Sequence, residues 1–85
     1  MSQAQQVYYS AFDADFFALP GEIQRRIVER IDEMGRDLRS FPHYRMTGSA
    51  HCRLRVGDYR VIYQFDTTQN EICLVSVGHR REIYR

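Results

Sequence analysis

The 85-residue chain predicts an α+β domain in the order β-α-α-β-β-β, with two N-terminal helices packed on one face of a small, mostly antiparallel sheet. Three observations predict it. Apolar residues recur at helical spacing between about 21 and 38, three β-prone segments follow in the second half, and short polar turns separate those segments. The length allows one domain, residues 1–85. A chain of this size buries only about 60–65% of the surface its unfolded form exposes, so modest stability is expected.

Val7-Tyr8-Tyr9 is short and β-prone and predicts a first strand over residues 5–9. Ser10 reads as the N-cap of a short helix running through Leu19, with Asp13 in its first turn. Pro20-Gly21 interrupts that helix, and Pro20 can open the next. Ile23, Ile27, Ile31, Met34 and Leu38 then recur at spacings of three and four, one face of an amphipathic helix. Its charged face reads as solvated surface. Phe41-Pro42 ends the helix, and His43 through Ala50 reads as a connecting loop in which His43 and Tyr44 are incidental.

Strands follow over about 51–56 and 59–65, joined by a tight turn at Gly57-Asp58. Asp66 to Asn70 is a polar turn. Ile72 to Val77 reads as a last strand, so continuously apolar that burial on both faces is expected. Tyr59 and Tyr63 read as core aromatics.

A composition of 44% hydrophobic and 27% charged residues excludes a disordered chain. The charge is uneven. Residues 1–42 carry five Arg and seven acidic residues, a net −2, whereas residues 43–85 carry seven Arg and four acidic residues, a net +3. The second half therefore suits an anionic partner. The chain has no Lys, which excludes a lysine base or Schiff base. Cys52 and Cys73 are too few and too far apart for a metal motif or a disulfide framework, and read as small buried hydrophobes in a reducing cytosol. The polar start of the chain reads as no signal peptide, and no apolar run approaches the roughly 18 residues of a membrane span. A cytoplasmic protein with no membrane partner, metal or small-molecule cofactor is expected.

Arginines and tyrosines crowd two segments, Arg53-Leu54-Arg55-Val56-Gly57-Asp58-Tyr59-Arg60 and Val77-Gly78-His79-Arg80-Arg81-Glu82-Ile83-Tyr84. A sheet needs apolar alternation but not so many guanidinium groups, whose planar forks grip phosphate oxygens. Alternation sets His51, Arg53 and Arg55 on one side of their strand and Cys52, Leu54 and Val56 on the other. In the next strand Arg60, Ile62 and Gln64 oppose Tyr59, Val61, Tyr63 and Phe65. If the apolar sets face the helices, His51, Arg53, Arg55 and Arg60 share the open face. A bulge near Gly57 would shift this by one residue. The cluster fits an RNA backbone or an acidic peptide better than an ordinary solvated face. For Arg60, the competing structural role is an ion pair with Asp58 or Glu82. Arg81 and Arg85 add general phosphate attraction.

The pattern Phe12, Phe16, Leu19-Pro20, Ile23, Ile27, Ile31, Gly48, then Arg53 through Tyr63 and Val77 through Tyr84, resembles the RelE/ParE superfamily of toxins from toxin–antitoxin pairs over most of the chain. The RelE branch implies a small α+β toxin that enters the ribosomal A site and cuts messenger RNA. The ParE branch implies a similar fold that poisons DNA gyrase by binding, without catalysis. The resemblance matches Arg60 to the family arginine after the hairpin tyrosine, Arg80 to the arginine after the Val-Gly-basic motif, and Tyr84 to the tyrosine RelE-type enzymes use in cleavage. His51 and Arg53 fall where RelE carries lysines. A guanidinium with a pKa above about 12 is a poor proton acceptor, so Arg53 fits phosphate binding and not the base.

Metal-independent cleavage needs a base for the ribose 2′-OH, positive charge at phosphorus and an acid for the departing 5′-oxygen. Arg60 and Arg80 fit the charge, assisted by Arg53 and Arg55. Tyr84 fits 2′-OH activation or stacking on a base, and His79 or His51 the other proton. The resemblance also implies a cognate antitoxin, and with it a hetero-oligomer, besides the ribosome and mRNA. A gyrase poison is the alternative. A degenerate toxin that only binds its antitoxin is a third reading.

Overall fold

Two helices and five strands follow one another as β1 (Gln5–Tyr8), α1 (Ser10–Phe16), α2 (Gly21–Arg36), β2 (Tyr44–Arg45), β3 (Cys52–Val56), β4 (Tyr59–Asp66) and β5 (Glu71–His79) in the computed structural model, which describes residues 2–83. The predicted α+β order is present, with one short strand more than expected.

α1 begins one residue off the expected cap. Tyr9, in extended conformation, occupies the N-cap position, no side chain caps the helix, and Ser10 is its first helical residue. The helix stops at Phe16 rather than Leu19. Two tight turns, Ala18 N–H to Asp15 O and Leu19 N–H to Phe16 O, carry the chain into Pro20, before which a residue avoids helical geometry. In α2 the predicted stripe is buried: Ile27, Ile31 and Met34 face the core, with Leu38 in the turn beyond the helix. Pro20 sits at its N-cap and accepts the first helical bond, from Gln24 N–H.

The strand order is β1-β5-β4-β3-β2. β1 runs parallel to β5, and the other pairings are antiparallel. β2 lies where a loop was expected over 43–50; Tyr44 pairs with Arg53 and Arg45 with Cys52. The helices contribute Phe12, Phe16, Ile27, Ile31 and Met34 to one core with Cys52, Leu54, Val56, Val61, Tyr63, Ile72, Leu74 and Val77 of the sheet. Each such fully buried apolar side chain contributes about 1.5–3 kcal/mol.

β3 and β4 stay in register through five pairs, from Cys52↔Tyr63 to Val56↔Tyr59, with no bulge at Gly57. The irregularity lies further on: Ile62 pairs with Ser76 and Tyr63 with Leu74, so Val75 has no opposite residue. β5 is interior to the sheet but not buried on both faces. Ile72, Leu74 and Val77 are buried, whereas Cys73, Val75 and Ser76 are half-buried. The thiols of Cys52 and Cys73 are free. Burial pushes both upward in pKa, with Glu71 adding to the shift at Cys73, so neither is an activated thiolate. Among the described residues no helix is long and apolar enough to cross a membrane.

Candidate anion-binding face

Directly paired residues in a sheet share a face. Arg55, Arg60 and Gly78 therefore form one row across β3, β4 and β5, and Arg53, Ile62 and Ser76 form the next. Tyr44 extends the second row from β2. Cys52, Leu54, Val56, Val61 and Tyr63 point the other way, into the core under the helices. Arg53, Arg55 and Arg60 thus share the face the helices leave open, as alternation predicts.

Arg60 is the unusual member. It is only 8% exposed, and its Nη1 donates to Gly57 O at 2.8 Å and Tyr59 O at 2.9 Å. Neither expected ion pair forms. Among the described residues no carboxylate neutralises Arg60; Asp58 instead meets Arg80, with Nε to Oδ1 at 3.7 Å. Arg55 lies directly opposite Arg60 and is exposed. A buried cation costs several kcal/mol of desolvation without a counter-charge, and a like charge opposite adds to it. An anion over this row relieves both.

The hairpin tip ties the last strand to this edge. Arg80 N–H donates to Asp58 O at 2.8 Å. Both side chains of the Arg80–Asp58 pair are more than half exposed, so the pair is a weak surface contact. Glu82 and Ile83 N–H both reach His79 O, closing a turn, and Ile83 Cδ1 lies 3.5 Å from where a Gly78 side chain would begin. Ile83 therefore rests on the open face beside the Arg60 row. Arg81 is exposed. Tyr84 and Arg85 lie outside the described residues.

The two histidines sit away from Arg60. Cys73 pairs with Gln64 on the open face, and simple alternation would send His79 there too. The unpaired Val75 reverses the phase, so His79 pairs with Tyr59 on the helix side, its ring edge-on to that tyrosine at 5.5 Å. Its Nδ1 accepts from Arg81 N–H at 3.2 Å. His51 precedes β3 on the open side, bonded through Nδ1 to Ser49 Oγ at 2.9 Å. Four residues separate it from Arg55, roughly 13 Å along the strand. The described face supplies positive charge, with no imidazole at the Arg55–Arg60 row.

Sequence reasoning missed three neighbours. Tyr44 is 64% exposed and directly opposite Arg53. Arg26 of α2 reaches the hairpin tip, its Nη2 3.2 Å from where a side chain on Gly57 would begin. His43 is half-buried and engaged on every side: Nε2 donates to Leu38 O at 2.7 Å, Nδ1 shares a hydrogen bond with Tyr63 OH at 2.6 Å, and its ring stacks on Phe65 at 3.7 Å. The available signals were weak, an aromatic two residues past Pro42 and an Arg one turn into α2. Among the described residues no group of three His, Cys, Asp or Glu side chains could hold a metal ion.

A family model described as the ParE toxin of the type II toxin–antitoxin system parDE matches residues 7–84. No curated protein sequence matches the chain. Among solved structures, it is similar to the toxin–antitoxin complex RelBE2 of Mycobacterium tuberculosis, at 24% identity and TM-score 0.75 over 96% of this chain and 97% of that one. It is similar to the RelB–RelE antitoxin–toxin complex of Methanococcus jannaschii, at 26% identity and TM-score 0.72 over 92% and 94%. The isolated E. coli RelE toxin, at 15% identity and TM-score 0.76 over 95% and 90%, shares the fold.

Proposed function

This chain belongs to the ParE toxin family of type II toxin–antitoxin systems, and from that premise we propose that it cuts messenger RNA on the ribosome, without a metal ion, under the control of a cognate antitoxin. It is a toxin of such a system with a RelE-like fold. The observation that carries the finer reading is the buried Arg60, which no carboxylate of the described residues neutralises, in one row with Arg55 and beside Arg53. That row matches the charge a phosphodiester develops when it is attacked.

In the proposed step the ribose 2′-oxygen forms a bond to phosphorus and the bond from phosphorus to the 5′-oxygen breaks. One proton leaves the 2′-OH and one is delivered to the 5′-oxygen, giving a 2′,3′-cyclic phosphate and a 5′-hydroxyl. Arg60 and Arg55 hold the non-bridging oxygens, whose extra charge is stabilised most by pre-positioned donors. Arg53 and Arg80 hold the flanking backbone, with His51, Arg81 and Arg85 as outlying contacts. Tyr84 remains the candidate for 2′-OH activation. His79, facing the helices, is removed from the chemistry. The fold thus brings charge stabilisation with few titratable groups, which fits a nuclease completed by the ribosome.

The M. tuberculosis and M. jannaschii structures of similar fold are complexes with antitoxins. By that analogy this toxin forms a hetero-oligomer with its own antitoxin, whose acidic segment would neutralise the arginine face. The second reading, a gyrase poison acting by binding alone, draws on the ParE description of the matching family model. A translating extract decides between them. Codon-spaced mRNA ends that vanish in Arg60→Ala and Tyr84→Phe support the nuclease. Intact mRNA with accumulated gyrase cleavage complexes supports the poison, and 3′-hydroxyl with 5′-phosphate ends overturns the 2′-OH route.

A further inference from the structure

Tyr44 is an exposed aromatic ring beside a row of guanidinium groups, and nothing in the packing calls for it there. It is 64% exposed, it belongs to a strand of only two residues, and its direct partner is Arg53. A cross-strand pair of this kind places the two Cβ atoms about 5 Å apart on one face. The ring also lines a groove of about 440 Å³ together with Phe41, Arg30, Arg53 and Arg55, a volume within the range of small-ligand clefts. Arg30 is engaged, bonded to Glu33 and lying over the Phe41 ring at 5.4 Å. Arg53 and Arg55 line the groove on its open-face side.

We infer that Tyr44 is the stacking platform for a nucleobase of single-stranded RNA, and that the groove between it and Arg53–Arg55 is a base subsite that sets sequence preference. The inference rests on the RNA-cleaving reading above and deepens it. Single-stranded nucleic acid is held by a basic track along its backbone with aromatic rings beside it for the bases. Here the track is Arg53, Arg55 and Arg60, and Tyr44 lies in the same cross-strand row as Arg53, one strand further out. A phosphate on Arg53 therefore puts an adjoining base within reach of the ring. The planar groove wall of Phe41 and the guanidinium of Arg55 suit a flat, polar-edged occupant. An acidic extended peptide is the competing occupant, because β3 beyond Arg53 has no partner in β2.

The test uses the purified full chain and short oligoribonucleotides carrying 2-aminopurine at successive positions, at low salt. Stacking on Tyr44 quenches the fluorophore at one position in the native chain and in Tyr44→Phe. In Tyr44→Ala the quench is lost and binding weakens by roughly 5- to 150-fold. Tyr44 is exposed, so Tyr44→Ala keeps the fold, and a cooperative unfolding transition checks it. Arg60→Ala weakens binding but retains the quench at saturation. If Tyr44→Ala keeps native affinity and quench while Arg60→Ala loses affinity, the platform is overturned and the nuclease reading stands. If the native chain binds no oligonucleotide at all, the platform is overturned, while the nuclease reading stands or falls by the translating extract. If Tyr44→Ala loses binding of a poly-glutamate peptide but not of RNA, the groove is a peptide site and the inference is overturned.

Discussion

Tyr63 and His43, twenty residues apart, form a hydrogen-bonded pair: the phenol and Nδ1 lie 2.6 Å apart, and Nε2 donates to Leu38 O at 2.7 Å. The carbonyl can only accept, so Nε2 carries a proton and is the donor to Leu38 O. The pair pins the segment after α2 to the centre of β4, on the face opposite Arg60. Tyr63→Phe leaves Nδ1 without its partner and is expected to destabilise the fold by about 1–3 kcal/mol. Urea unfolding measures this, and RNA cleavage at a temperature well below the transition should be unchanged.

The same phenol sets an alkaline limit. Burial first, and Cys52 second, hold the Tyr63 pKa well above the ordinary tyrosine range. A folded-state pKa raised above the unfolded value gives stability that is complete below the unfolded pKa, about 10 for tyrosine, and lost as pH rises through and beyond it. Stability should therefore fall above about pH 10 with a contribution approaching 1.4 kcal/mol per pH unit from this group. Tyr63→Phe should show a shallower slope there. Equal slopes in the two proteins would remove Tyr63 as the cause.

Much of this fold is legible because it is periodic. Ile27, Ile31 and Met34 announce α2, and the alternation across Cys52 to Val56 and Tyr59 to Tyr63 fixes both register and face. The parts that were not legible are those without a period. β2 has two residues, too few to alternate. The partnership of His43 with Tyr63 joins distant positions that no local pattern connects. The unpaired Val75 resembles its neighbours in sequence, yet it alone turns His79 from the arginine face to the helix face. The arginine site could be read because its residues lie on two adjacent, regular strands. Its histidines could not, because one lies past an irregularity and the other at the far end.

Gly57 closes the β3–β4 turn at φ +60°, and its carbonyl accepts from Arg60. Gly57→Ala places a side chain in the left-handed region, costing about 1–2 kcal/mol. Its Cβ also meets Arg26 Nη2 at 3.2 Å, a flexible end that can move aside. Thermal unfolding should show a midpoint lowered by about 4–8 °C for each kcal/mol lost.

In the proposed function, Asp58 competes with RNA for Arg80. Their contact is long, at 3.7 Å, and exposed on both sides, so Asp58→Asn should change stability by less than about 1 kcal/mol. It frees Arg80 and removes a negative charge from the rim of the basic face. Oligonucleotide affinity is expected to rise by a few-fold at low salt, with the gain shrinking as salt screens it. Weaker binding in Asp58→Asn would mean that the pair positions Arg80 rather than restraining it.

Arg60 separates stability from function. As a buried cation lacking a carboxylate among the described residues, it carries a desolvation penalty that its two carbonyl contacts offset in part and a bound anion offsets further. Arg60→Met keeps the length of the side chain and removes the charge. Its loss of two hydrogen bonds falls at Gly57 O and Tyr59 O, at or beside an exposed turn where water can replace the donor. The free toxin should therefore be unfolded by urea at the same or a higher concentration, with a gain of up to about 1 kcal/mol, a small part of what apolar replacement of buried charges can give. Cleavage in a translating extract should fall at least about 100-fold, the typical effect of deleting one donor to a developing anion. Arg60→Lys retains charge but offers a compact ammonium in place of a planar fork, so it should recover binding more than cleavage. A Met variant that is strongly destabilised and still cleaves RNA would make Arg60 a structural residue of the hairpin.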